Sequence, residues 1–297
     1  MEDSAVQLLV YSDEELNHLI LRSSPVPVDE IFDSSVGIIS SSFVAKYVST
    51  RRSRVPADEV SAMRLAESMG IRVPQIHRIV PAMNVYSTGG QYLIMTQPTL
   101  GWWPTFRLAL QLRRYLKAMR QRTSLTAGGL VSGSAFCHFW DFDSYGPELR
   151  ASPENLREYM NWWILHLPPT KPRQDLEIKP FSMFMFSHID LHTRNMMVDE
   201  QGQLWLIDWG SAGFYPPFFE RAALRIAGWF PSGWMGRIMA WRWIIFQWIS
   251  AGSRPVEAAS LTCIKARSTR QADARRGLPS ERATREAERA RRRQTKS

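Results

Sequence analysis

Ser187-His-Ile-Asp-Leu-His-Thr-Arg-Asn195 is a polar, loop-like run, and two short apolar runs follow it directly: Met196-Met-Val198 and Leu204-Trp-Leu-Ile207, joined by Asp199-Glu-Gln-Gly202. The composition of that joint predicts a tight hairpin turn. Asp208-Trp-Gly210 comes immediately after the second run. The spacing Asp190-x4-Asn195 within a loop, then Asp208-x-Gly210 at a hairpin end, brings a carboxylate, an amide and a second carboxylate to one edge. Taken singly, each of these residues could be a turn or cap residue. Together they are the groups that phosphoryl transfer needs: a carboxylate to orient a hydroxyl and take its proton, and hard oxygen ligands for a Mg²⁺ that bridges nucleotide phosphates.

Toward the N-terminus, Ser12-Asp-Glu-Glu15 has the capping-box pattern ahead of Leu16, Leu19 and Ile20, which predicts a short helix. Val36–Ile39 and Phe43–Val48 read as strands flanking a serine turn. A helix is expected from Pro56, with Asp58 and Glu59 in its first turn and Gly70 as its stop. Ile76–Val80 and Tyr92–Met95 read as two further strands. Beyond Pro98 the pattern changes to helical spacing over Arg107–Arg120 and Glu154–Leu165.

The chain has 297 residues, 44% of them hydrophobic and 22% charged, which suits two lobes with a real core and excludes wholesale disorder. Two cysteines, Cys137 and Cys263, cannot build a disulfide framework, and the acidic first twenty residues do not read as a signal peptide, so a reducing, cytoplasmic setting is expected. The formal charge of +9 is concentrated at one end. Residues 264–297 hold twelve Lys/Arg against four acids, a net +8, which leaves +1 for residues 1–263. That tail reads as a disordered or solvated appendage, and no specific nucleic-acid partner is expected. The Trp-rich stretch Ala227–Ser250 is interrupted by Arg237 and Arg242, so no membrane span is expected there; a buried helix is the better reading, with monotopic membrane contact as its rival.

At these motifs the sequence resembles the kinase-like phosphotransferases of the aminoglycoside phosphotransferase and choline kinase type, most closely their fungal members. His188-Ile-Asp190-Leu-His-Thr-Arg-Asn195 is similar to that family's catalytic loop, and Ile207-Asp208-Trp209-Gly210 to its metal-binding motif. The similarity covers roughly residues 12–250 and is sharpest between Phe186 and Glu220. It implies Asp190 as the catalytic aspartate, with His188 in the catalytic loop as an organiser of it, and Asn195 and Asp208 as Mg²⁺ ligands. It further implies Lys46 as the residue that pairs with nucleotide phosphates, Glu59 as its partner, and Met95 and Gln97 as the hinge beside an ATP.

Two departures stand out. Only Gly37 remains of the glycine-rich phosphate loop, and Ile189 stands where the family often has Gly. Residues 221–263 hold one acid, Glu257, beside five arginines, which argues against a polycationic antibiotic as substrate. From about Ser250 the apolar patterning fades, so an altered C-terminal end is expected.

The expected architecture is α+β, a two-lobed protein-kinase-like fold. It has a small mixed N-lobe over residues 1–97, a mainly helical C-lobe over 98–263 and a basic tail over 264–297. The expected activity is ATP- and Mg²⁺-dependent phosphorylation of a small-molecule hydroxyl. The alternative is a nucleotide-binding pseudokinase that serves as an interaction module. The acceptor and the oligomeric state are left open.

Overall fold

Ser12 opens the first helix as its pattern predicts: its Oγ accepts the Glu15 N–H at 3.2 Å, while Glu15 Oε2 accepts the Ser12 N–H at 2.7 Å. The computed structural model describes residues 10–23, 34–40, 43–49, 55–82, 90–96, 105–135, 147–165, 177–226 and 233–252. Helix α1 (Asp13–Ser23) lies against a four-stranded antiparallel sheet of β1 (Ser34–Ile38), β2 (Phe43–Ser49), β3 (Ile76–Pro81) and β4 (Gly90–Thr96). The spatial order is β1-β2-β4-β3, so the last strand inserts beside β2 and leaves β3 at the edge.

Alternation along β2 divides its side chains between two faces. Phe43 and Ala45 join Leu16, Ile20 and Val80 in a small core beneath α1, whereas Val48 belongs to the main core on the other side. Lys46 shares the parity of Val44 and Val48 and is therefore carried toward α2 (Pro56–Ser68). This helix has Pro56 at its first position. It stops at Gly70, whose φ of 75° is cheap only for glycine and lets the Gly70 and Ile71 N–H groups reach the carbonyls of Glu67 and Ala66.

The second lobe contains α3 (Thr105–Arg120), α4 (Pro153–Leu165), α5 (Phe219–Ile226) and α6 (Trp234–Ala251). A three-stranded sheet of β5 (Thr123–Ser124), β6 (Phe184–Ser187) and β9 (Gly213–Tyr215) and a hairpin of β7 (Met196–Val198) and β8 (Leu204–Leu206) complete it. The hairpin is the one read from Asp199-Glu-Gln-Gly202. The main core is shared between lobes, since Val60, Met63 and Ala66 of α2 pack in one cluster with Leu112, Leu116, Leu204, Leu206, Trp209, Trp243 and Phe246. Each of its Val, Leu, Met and Phe side chains contributes about 1.5–3 kcal/mol of burial. A second cluster joins α4, β6 and α5 through Leu156, Met160, Phe184, Tyr215 and Phe219.

One expectation needs correction. The helix read over Ala227–Ser250 begins at Trp234 and is buried on one side only: Trp243 and Phe246 face the core, but Trp234, Trp241 and Trp248 are exposed. Apolar residues all round the helix concealed this, because a stripe cannot be told from a background of the same polarity. Among the described residues no helix is long and apolar enough to cross a membrane. Gln97, the acidic loop Trp140–Asp143 and the tail 264–297 lie outside the described residues.

Candidate active site

The backbone is held in an uncommon shape at one position of the 187–195 loop and at one position just after the β7–β8 hairpin. Ile189 has φ 69° and Asp208 has φ 62°, both in the left-handed region. For a β-branched residue that is a genuine outlier, costing about 1–3 kcal/mol. Ile189 occupies the position where a glycine was expected from the resemblance, and it takes the conformation glycine would take freely. What holds it is Glu220 of α5, whose carboxylate accepts the His188 N–H at 2.5 Å and the Ile189 N–H at 3.3 Å. The Ile189 side chain is buried as well, so packing adds to the restraint.

His188 is fully buried and ties the two sequence motifs together. Its Nε2 bonds the Ile207 carbonyl at 3.0 Å, and its Nδ1 accepts the Asp190 N–H at 3.3 Å, which assigns the proton to Nε2. Burial pushes its pKa down to about 4, against the pull of Asp190 and Asp208, so the ring is neutral at pH 7. It packs at 4.5 Å on Trp209, which is itself buried and stacked on Phe186. These contacts suit an organiser of the loop.

Asn195 closes a short 3₁₀ turn, Thr193–Asn195. Its Nδ2 donates to Asp190 O at 2.9 Å and to Asp190 Oδ2 at 2.8 Å. With both amide hydrogens committed, Oδ1 remains as an oxygen donor to a ligand. The other Asp190 oxygen lies 3.4 Å from His192 Nε2. The Ile207 N–H donates to Asn195 O at 3.1 Å, so the residue before Asp208 is bonded to the loop from both sides.

Lys46 lies between two carboxylates, with Nζ 2.6 Å from Glu59 Oε1 and 2.6 Å from Asp208 Oδ1. Burial alone would lower its pKa. The two negative neighbours outweigh that and hold it above the ordinary value, so Lys46 stays a cation. Glu59 is as buried as Lys46, whereas Asp208 is more than one-third exposed and opens the group to solvent. The structure therefore brings Lys46, Glu59 and Asp208 together in one cluster and Asp190 and Asn195 in another, joined through His188 and Ile207. Met95 lies on β4, its backbone paired with Val44.

Two residues escaped the sequence reading. Glu220 entered that reading only as the end of the stretch where the resemblance is sharpest. Asp58 read as a first-turn acid of α2, yet its carboxylate accepts the Val131 N–H at 2.6 Å, the Ser132 N–H at 3.0 Å and the Ser132 hydroxyl at 2.5 Å. Gly129 makes this possible, because a Cβ there would come within 2.5 Å of Asp58 Cγ. The only local signal was the Gly/Ser-rich run Gly128-Gly-Leu-Val-Ser-Gly-Ser134, which marks a tight turn without naming what it wraps.

Burial raises the Glu220 carboxyl to about 7, although the His188 and Ile189 N–H groups and Arg120 pull it down and Asp190 adds to the rise. The folded state thus takes up a proton that the unfolded chain releases at about 4.5. The cost is absent below that pH, grows as pH rises, and is complete above about 7, where it reaches about 3 kcal/mol. Glu220→Gln mimics the protonated acid. Its melting temperature relative to the parent is expected to climb between pH 5 and 7 and then level off, as calorimetry at each pH would read. A difference independent of pH would contradict a raised carboxyl.

Comparison with known proteins supplies an independent line. A family model described as the phosphotransferase enzyme family matches residues 40–242, which enclose Lys46, Glu59, Asp190, Asn195, Asp208 and Glu220. A solved structure of an aminoglycoside 2'-phosphotransferase-IIIa in its GDP complex superposes with a TM-score of 0.50 at 14% identity, over 89% of this chain and 94% of that one. A choline kinase from Streptococcus pneumoniae aligns with a TM-score of 0.44 at 14% identity, over 94% and 97% of the two chains. A spectinomycin phosphotransferase solved with ADP and spectinomycin aligns with a TM-score of 0.46 at 14% identity, over 79% and 75%. No curated protein sequence matches the chain.

Proposed function

We propose, since the chain belongs to the phosphotransferase enzyme family and is a kinase-like phosphotransferase, that it transfers a phosphoryl group from ATP to a hydroxyl of a small molecule with the help of Mg²⁺. The observation that carries this reading is the contact of one buried lysine with two carboxylates from distant parts of the chain, Glu59 and Asp208, next to the Asp190–Asn195 pair. A structural ion pair would need one acid. Two acids on one lysine, one of them partly exposed, suit a site where an anionic ligand with a cation rearranges the charges.

Among the described residues no three His, Cys, Asp or Glu cluster as a self-sufficient metal site. The donor set nonetheless fits Mg²⁺, which favours hard oxygens and completes its octahedron with water and phosphate oxygens instead of a full protein cage. Asn195 Oδ1 and the Asp208 carboxylate would hold it, and when bound it would neutralise charge on the phosphates. Asp190 would orient the acceptor hydroxyl and take its proton, held at the required angle by the Asn195 amide. Lys46 would face phosphate oxygens while Glu59 keeps it in place. The small N-lobe through residue 97, with Met95 and Gln97, would line the adenine side, and the helical lobe from 98 to 263 the acceptor side.

The test is a thermal shift with ATP and Mg²⁺, followed by phosphorylation assays over a library of small alcohols. Binding with turnover supports the proposal; binding without turnover would favour a nucleotide-binding module instead. In the same assay Lys46→Met is expected to weaken ATP at least about tenfold while leaving adenosine nearly unchanged, because only the phosphates carry charge for Nζ to meet. Removing one partner of a buried pair costs about 3–5 kcal/mol. Adding Glu59→Gln should therefore restore part of the stability lost in Lys46→Met, and additive losses in that double-mutant cycle would contradict the pairing.

A further inference from the structure

The exposed side of α6 has a composition that solvent alone does not explain. At 3.6 residues per turn, Trp234, Ile238, Trp241, Ile245 and Trp248 fall within about 40° of one line along the helix. All five are exposed, the three tryptophans at 62–67%. Arg237 and Arg242 are exposed too and flank the line on either side. The helix contains no acid, and the chain beyond it carries twelve Lys/Arg against four acids over residues 264–297. This is an apolar, aromatic ridge edged with positive charge.

We infer that this face docks onto an anionic lipid bilayer, with α6 lying flat at the headgroup level. Tryptophan favours that level because its ring is apolar and its N–H stays wet. Arginine stems can cover apolar surface while their guanidinium groups meet lipid phosphates and carboxylates. The helix is about 27 Å long and presents its ridge along its whole length, so it suits lying on a membrane. A second copy of the chain fits less well, since two such faces would set arginines against arginines with no acid on either helix to offset them.

The experiment is flotation of the full chain with vesicles of phosphatidylcholine alone and of phosphatidylcholine with about one-third phosphatidylserine. The chain is expected to float with the anionic vesicles, not with the neutral ones, and to lose binding as salt rises. Trp241→Ser/Trp248→Ser should reduce binding by at least roughly tenfold, because exposed apolar residues supply the insertion. Arg237→Glu/Arg242→Glu should lower binding to the phosphatidylserine vesicles, the basic tail keeping part of the preference for them. If the tryptophan variant floats like the parent, the basic tail alone binds and the proposal fails. It also fails if the parent never floats, or if ultracentrifugation shows a dimer that the tryptophan variant abolishes, which would make a second copy the occupant.

Discussion

Asp190→Asn is expected to lower turnover by about 10²–10⁴-fold while leaving nucleotide affinity within a factor of about two. The substitution is nearly isosteric, and the amide oxygen can still accept from Asn195 Nδ2, the 2.8 Å bond that fixes the side chain. What it cannot do is take a proton from an acceptor hydroxyl. His188, neutral and committed to Ile207 and Asp190 on its two ring nitrogens, offers no substitute base. Steady-state rates, or slow ATP hydrolysis if the acceptor is still being sought, together with calorimetric nucleotide titration, separate the two quantities. Equal losses of binding and rate would assign Asp190 to binding instead.

Asp208→Asn should act on a different step and act harder: no Mg²⁺-dependent rise in melting temperature with ATP, and turnover below detection. Losing the charge removes the stronger of the two oxygen ligands proposed for the metal. Asparagine is the informative choice because it tolerates the φ of 62° that this position adopts, so the backbone is not strained further. Lys46 keeps Glu59 at 2.6 Å, and the buried cation is not left unpaired. A Mg²⁺-dependent shift equal to the parent's would remove Asp208 from the metal site.

Much of the fold could be read because local signals agreed with tertiary ones. The alternation in Phe43-Val-Ala-Lys-Tyr-Val48 fixes which face receives Lys46 once a strand is assumed, and Pro56 with Gly70 brackets the helix that brings Glu59 to it. The loop and hairpin from Ser187 to Gly210 were legible because turn chemistry and short apolar runs alternate there. Glu220 was not, since its importance lies in two backbone N–H groups more than thirty residues upstream, and no spacing encodes that. Nor could sequence show that Ile189 adopts a left-handed backbone, because the side chain's own preference opposes it and only the surrounding bonds impose it. The half-exposed α6 was missed because its two faces have the same apolarity.

The three bonds from Asp58 to residues 131–132 make α2 a mechanical member of the lower lobe. Further along, the Leu206 N–H donates to Arg72 O at 2.9 Å, the Arg72 guanidinium stacks 5.8 Å over Trp205, and α2 packs into the same core as α3 and β8. The four-stranded sheet meets this body through Val48 in the shared core and through Lys46. Lys46 belongs to that sheet, while Glu59 and Asp208 belong to the other body, so the two 2.6 Å contacts tie one to the other. An arriving anion that draws Lys46 away from Asp208 would undo one of these ties and leave the one to Glu59 in place. The strength of the link between sheet and helical lobe would thereby depend on whether the phosphate position is occupied.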